Sequence, residues 1–219
     1  MLQRIRSARD RRIKSLALNA GQLTEFPSEL ATLKHLQKLD LARNTITSLP
    51  STISKLANLR VLCLNDNKLN TLPMEFGSLE LMESLDLSCN RFQVIPQVLC
   101  LLTTLQYLNM SFNQIESIPA EFVKLKGLQQ LKLARNRLTS IPTTISQFSF
   151  LELLDISYNH LVELPPSIPR SVDDLYLQGN QLQSLPATIG DCNLAVCLSI
   201  HFLSLSVSWM ATLPTFSLT

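Results

Sequence analysis

Seven asparagines stand on a near-constant ruler: Asn44, Asn67, Asn90, Asn113, Asn136, Asn159 and Asn180. Five consecutive gaps are 23 residues and the last is 21. One residue type repeated at that pitch marks a solenoid, a stack of copies of one supersecondary unit. Each unit contacts its neighbours alone, so a single elongated core is expected rather than several compact domains. Such stacks mainly present long surfaces to other macromolecules.

Alignment on the asparagines gives the consensus LxxLxLxxNxLxxLPxxIxxLxx. The third copy shows it with Leu59, Leu62, Leu64, Asn67, Leu69, Leu72, Pro73, Phe76 and Leu79. The L-x-L segment alternates apolar and polar residues, the period of a short strand. Stacking would set these strands side by side as a parallel sheet. The asparagine follows where the chain must turn. Its amide offers two donors and an acceptor, and is expected to bond the backbone of its own loop and of the next repeat. A Leu-Pro, Ile-Pro or Phe-Pro step comes next, from Phe26-Pro27 to Leu185-Pro186. Proline excludes a central strand there, and its fixed φ suits the first turn of a short helix.

These residues resemble the leucine-rich repeat family from residue 13 to about 192. The 23-residue LPxxIxxLxxL form is similar to the intracellular subclass of Ras-associated scaffolds and plant Ras-group proteins. The resemblance implies an α/β horseshoe solenoid with a parallel sheet on the concave face and short helical turns on the convex face. It also implies protein partners of the small-GTPase or phosphatase type, and no cofactor.

The first copy has Gly21 at the asparagine position, as a terminal repeat tolerates. Residues 1–12 carry Arg4, Arg6, Arg9, Arg11 and Arg12, read as a solvated basic cap over the open end. The eighth copy is two residues short, and Pro169 displaces its outer leucine. Proline disfavours a helical turn, so this side is expected to be thin and extended. Residues 193–219 carry no Asp, Glu, Lys or Arg. Three readings stay open for them: a divergent closing repeat, a membrane span, or a segment unrelated to the repeats.

Composition bounds the function. The net charge of +2 does not suggest a nucleic-acid partner. The cysteines Cys63, Cys89, Cys100, Cys192 and Cys197 form no CxxC pair. The N-terminus has no apolar stretch of the secretory type. A cytoplasmic, monomeric protein is expected, with membrane association disfavoured. There is no Ser-His-Asp arrangement, metal-ligand spacing or glycine-rich phosphate loop, so a non-catalytic scaffold or adaptor in intracellular signalling is the expected class. The alternatives are a recognition fragment of a larger ubiquitin ligase, kinase or receptor, and a tail-anchored membrane protein. Asp40, Asp86 and Asp155 recur at one repeat position and read as a solvated face.

Side chains between the strand leucines point away from the core. In copies five to eight these and the neighbouring columns gather Tyr107, Phe112, Lys132, Arg135, Tyr158 and Tyr176. Tyr and Arg are enriched among interface hot spots. These six are the candidate partner-binding residues, against the alternative that the aromatics merely pack on neighbouring repeats.

Overall fold

A computed structural model describes residues 2–191; the readings for 193–219 fall outside them. Eight three-residue strands form one parallel sheet in strict chain order: β1 (Ser15–Ala17), β2 (Lys38–Asp40), β3 (Val61–Cys63), β4 (Ser84–Asp86), β5 (Tyr107–Asn109), β6 (Gln130–Lys132), β7 (Leu153–Asp155) and β8 (Asp174–Tyr176). Register advances by one full repeat per strand, so Leu39, Leu62, Leu85, Leu108, Leu131, Leu154 and Leu175 lie side by side. The central leucine of each strand is buried and its two neighbours face out, as the period of two requires. The expected solenoid and its parallel sheet are therefore observed.

The opposite side carries 3-10 turns of five residues: Ser28–Thr32, Ser51–Lys55, Met74–Ser78, Gln97–Leu101, Ala120–Lys124, Thr143–Gln147 and Ala187–Asp191. Proline precedes six of these turns in extended backbone, for example Pro50 at ψ 158°. It therefore caps the turn rather than occupying its first position. Its carbonyl accepts the first turn bond, as from Ile53 N–H at 3.1 Å. Between β7 and β8 no 3-10 turn forms, so the two-residue deletion and Pro169 thin the convex side there.

The core is one continuous column of leucine, isoleucine and phenylalanine running from Ile5 to Ile189. Its first residues belong to a helix that the repeat pattern does not announce, α1 (Leu2–Asp10). Ile5 and Ala8, three positions apart on one helical face, are buried. Arg4, Arg6 and Arg9 of the helix face solvent.

The asparagine ladder holds the stack together, with one departure from expectation. Asn113 Nδ2 donates to its own turn, at Met110 O (2.9 Å) and Ser111 O (3.3 Å). It also reaches Leu87 O at 3.0 Å, and its Oδ1 accepts from Phe92 N–H at 3.0 Å. Leu87 and Phe92 lie in the preceding repeat, not the next. The asparagine follows its own strand, and the neighbour with groups still unpaired at that point is the turn before it. Asn44, Asn67, Asn90, Asn136 and Asn159 repeat this pattern. Asn180 keeps it across the shortened repeat, bonding Leu161 N–H at 3.2 Å and Ile156 O at 3.0 Å. The ladder even supplies the degenerate first copy, because Gly21 N–H and Leu23 N–H both donate to Asn44 Oδ1.

Candidate interaction surface

The residue before each ladder asparagine adopts the left-handed conformation. Ala20, Arg43, Asp66, Cys89, Phe112, Arg135 and Tyr158 have φ between 51° and 57°, and Gly179 has φ 72°. Left-handed backbone costs a non-glycine residue roughly 1–2 kcal/mol. It is held here by strand-to-strand bonds on either side, such as Phe112 N–H to Ala134 O at 2.8 Å. The turn thus throws a full row of side chains out along one edge of the sheet.

In copies five to seven that row is a stacked unit. The Arg135 guanidinium lies 5.3 Å from the Phe112 ring centre and 4.3 Å from that of Tyr158. Phe112 and Tyr158 remain 52% and 46% exposed, so the packing leaves about half of each ring free. Beside them on the sheet, Lys132 Nζ sits 5.6 Å over the Tyr107 ring. Tyr176 continues the Lys132 column through Asp155, in register on β8. All six sequence-selected residues therefore share one face. Three cation-ring contacts join five of them into two groups, and Tyr176 flanks these on the sheet. A guanidinium stacked on rings keeps its in-plane N–H groups for a carboxylate or phosphate.

Tyr158 also packs as the bland alternative held. A Cβ placed on Gly179 would come within 2.4 Å of Tyr158 Cδ1. The ring lies against the Gly179 backbone on one side and Arg135 on the other. Gly179→Ala is expected to cost about 2 kcal/mol in urea unfolding, from positive-φ strain and ring displacement. A loss under about half a kcal/mol would show that the ring does not depend on that glycine.

The aspartate column has a role the sequence reading missed. Asp86 Oδ1 accepts from Ser88 N–H at 2.9 Å and from the Ser88 hydroxyl at 2.6 Å. Asp155 does the same to Ser157, Asp40 accepts from Ala42 N–H, and Asn109 Oδ1 accepts from Ser111 N–H. These carboxylates and this amide fasten the strand-to-turn bend, and are not simply a solvated face. The signal was present as Asp or Asn followed two residues later by Ser or Ala, the spacing of an Asx turn. Asn109 is therefore engaged in the turn. Lys132 has no acceptor and cannot fasten the bend in this way.

Charges of both signs line the face: Asp40, Asp66 and Asp86 with Lys38 and Arg43 over copies two to four, and Lys132 and Arg135 beside Asp155 over copies six and seven. Burial raises the Cys63 thiol above its ordinary pKa, and Asp40 and Asp86 add to the rise. Burial and Asp66 raise Cys89 likewise. Both thiols stay protonated at neutral pH, which makes poor nucleophiles. The Tyr107 hydroxyl is also raised, first by burial and then by Asp86. Among the described residues no cluster of His, Cys, Asp or Glu could hold a metal ion. Among them also, no helix is long and apolar enough to cross a membrane. His160 is exposed, while His35 is half-buried with Nε2 unpartnered among the described residues.

Two family models match the chain: Leucine rich repeat over 58–115, 80–138 and 105–161, and Leucine-rich repeat region over 9–86. No curated protein is similar to it. Among solved structures, a leucine-rich repeat protein of Leptospira interrogans is 31% identical with TM-score 0.66, over 82% of this chain and 52% of that one. The ectodomain of the Arabidopsis thaliana membrane receptor kinase GASSHO1/SCHENGEN3, in complex with CASPARIAN STRIP INTEGRITY FACTOR 2, is 30% identical with TM-score 0.73. That match covers 84% of this chain and 24% of the receptor. A TDR receptor is 25% identical with TM-score 0.67, over 78% of this chain and 31% of that one. The chain thus spans about half the length of the first and a third or less of the other two. Domains of this family are typically non-catalytic and generally serve protein interaction. The repeat unit, the ladder and both family models converge, and the chain belongs to the leucine-rich repeat family.

Proposed function

We propose that this chain is a non-catalytic interaction scaffold whose concave face over copies five to eight docks a protein partner. The observation that carries the reading is the Phe112–Arg135–Tyr158 stack, half-exposed and pre-ordered beside Lys132 and Tyr107. Rigid aromatics lose little side-chain freedom on binding, and stacked cations present oriented donors. A partner segment that is acidic and partly apolar fits this face. The repeat length and the 23-residue consensus support the intracellular Ras-group subclass, a cytoplasmic setting, and signalling partners of the small-GTPase or phosphatase type.

The test replaces Tyr107, Lys132, Arg135 and Tyr176 together by alanine. Affinity capture with the full chain should lose its partners while the thermal midpoint stays within a few degrees. Undiminished capture by the folded variant would sink the reading.

A second reading is supported by the comparisons. The chain spans only 52%, 24% and 31% of its solved neighbours, two of which are receptors. It would then be the recognition part of a larger receptor, kinase or ubiquitin ligase. Long-read transcript sequencing across the codons for residues 185–219 decides this, by finding or not finding a second domain joined to the repeats.

A further inference from the structure

We propose that the free edge of β1 binds an extended acidic segment of a partner protein by strand addition, guided by Arg4 and Arg11. Every other strand start in the sheet is covered by the repeat before it. On β2, Lys38 N–H donates to Lys14 O at 2.9 Å and Asp40 C=O accepts from Leu18 N–H at 2.7 Å. The register partners of Lys38 and Asp40 on β1 are Ser15 and Ala17. Their N–H and C=O groups point where a preceding strand would lie, because backbone groups alternate sides along a strand. Among the described residues none bonds to them.

Helix α1 closes the core with Ile5 and Ala8 but leaves this edge open. Between them lies an open cleft of about 540 Å³ lined by Arg4, Ser7, Arg11, Ile13, Ser15 and Ala17, among others. Arg4, Arg11, Ser15 and Ala17 are all exposed. From Arg4 to Lys14 the chain holds six cations and one carboxylate. Among the described residues that carboxylate, Asp10, pairs only with Arg9, at 3.2 Å. Arg4 and Arg11 therefore keep their donors free beside a row of unpaired backbone groups.

The two features select one occupant. An exposed edge recruits an extended chain through main-chain bonds, and the side chains beside it choose the sequence. A second copy of this chain would bring its own arginines against these, so like charge opposes self-pairing at this edge. An acidic strand satisfies both the backbone and the guanidinium groups, with bidentate carboxylate contacts available. This edge lies at the opposite end of the sheet from the copy-five-to-eight face, so it could serve a second partner or a second segment of one.

The experiment uses the full chain and a fluorescein-labelled peptide of alternating Glu and Val. Binding is read by anisotropy, and hydrogen exchange is read at the Ser15 and Ala17 amides. Expected are saturable binding, slowed exchange at both amides, and loss of affinity of about tenfold or more in Arg4→Glu/Arg11→Glu. A peptide N-methylated at alternate residues, which lacks the edge-facing donors, should bind the unaltered chain equally poorly. That arm holds even if the double variant misfolds. Equal binding of the methylated peptide would reduce the site to charge attraction and overturn the proposal. So would unprotected Ser15 and Ala17 amides, no binding at all, or a concentration-dependent dimer in sedimentation that occupies the edge. In Arg135→Ala the slowed exchange at the Ser15 and Ala17 amides should persist, which separates this edge from the copy-five-to-eight surface.

Discussion

Asn113→Ala is expected to destabilise the protein by about 3 kcal/mol in urea unfolding, and to break the cooperativity of the transition. The side chain is 9% exposed and serves four backbone groups in two repeats. Alanine leaves Phe92 N–H buried without a partner, while the Leu87 and Met110 carbonyls each lose one donor and keep Asn90 and Asn136. The orphaned donor costs roughly 1–3 kcal/mol, and the lost bonds to the two carbonyls add to it, partly relieved by local relaxation. In a solenoid, stability is a sum over repeats and their interfaces, so a cut in the middle uncouples two blocks. A two-phase urea curve for Asn113→Ala, with a single phase for the parent, is the expected signature. Asn180→Ala tests the mechanism, because Asn180 is only half-buried and near the end of the ladder. It should cost less than half as much and leave a single transition. Equal losses at both sites would mean that the ladder is not what couples the repeats.

Phe122→Ala should be as damaging, at about 4 kcal/mol, for a different reason. Phe122 is 1% exposed and replaces the usual isoleucine of the outer turn. Its ring meets Phe148 of the next repeat edge-on, with centroids 6.3 Å apart and planes at 72°. Alanine removes the apolar transfer term, opens a cavity between two stacked turns, and strands one side of Phe148. Phe122→Ile restores the residue other repeats use and should recover more than half of the loss. Thermal unfolding of the three proteins checks this. A Phe122→Ile variant as unstable as the alanine one would show that the ring pair, not the filled volume, holds these turns.

The spacing of the asparagines and the L-x-L pattern made the solenoid readable before any coordinates. Period-two burial, one strand per repeat and a thinned eighth repeat follow from local rules that each copy states again. Repetition is what makes this reliable, since eight weak signals at one pitch cannot arise from tertiary accident. The readings that went astray were those that depend on direction. Nothing in the sequence says whether Asn113 bonds forward or backward along the stack. The answer lies in which neighbour still has unpaired groups once both strands are laid down. The column of Asp40, Asp86 and Asp155 was misread for a similar reason. Its Asx-turn spacing was visible, but charged residues on an outward column look solvated until the bend beside them is seen.

The candidate surface was legible as a list, not as an arrangement. The columns assigned Tyr107, Phe112, Lys132, Arg135, Tyr158 and Tyr176 to one face. Only the fold showed that left-handed backbone aims Phe112, Arg135 and Tyr158 along the edge and that the guanidinium settles between two rings. The cap at the start divides in the same way. Its charge was plain in the sequence, while the burial of Ile5 and Ala8 and the uncovered β1 edge beside Arg4 and Arg11 were not. The sequence by itself determined the repeat, the strand polarity and the burial of each leucine, because these follow from periodicity within about two dozen residues. Tertiary structure decided which backbone groups each asparagine completes, which cations stack on which rings, and which edge stays open. Those depend on contacts between residues roughly one repeat apart, where neither propensity nor pattern carries information.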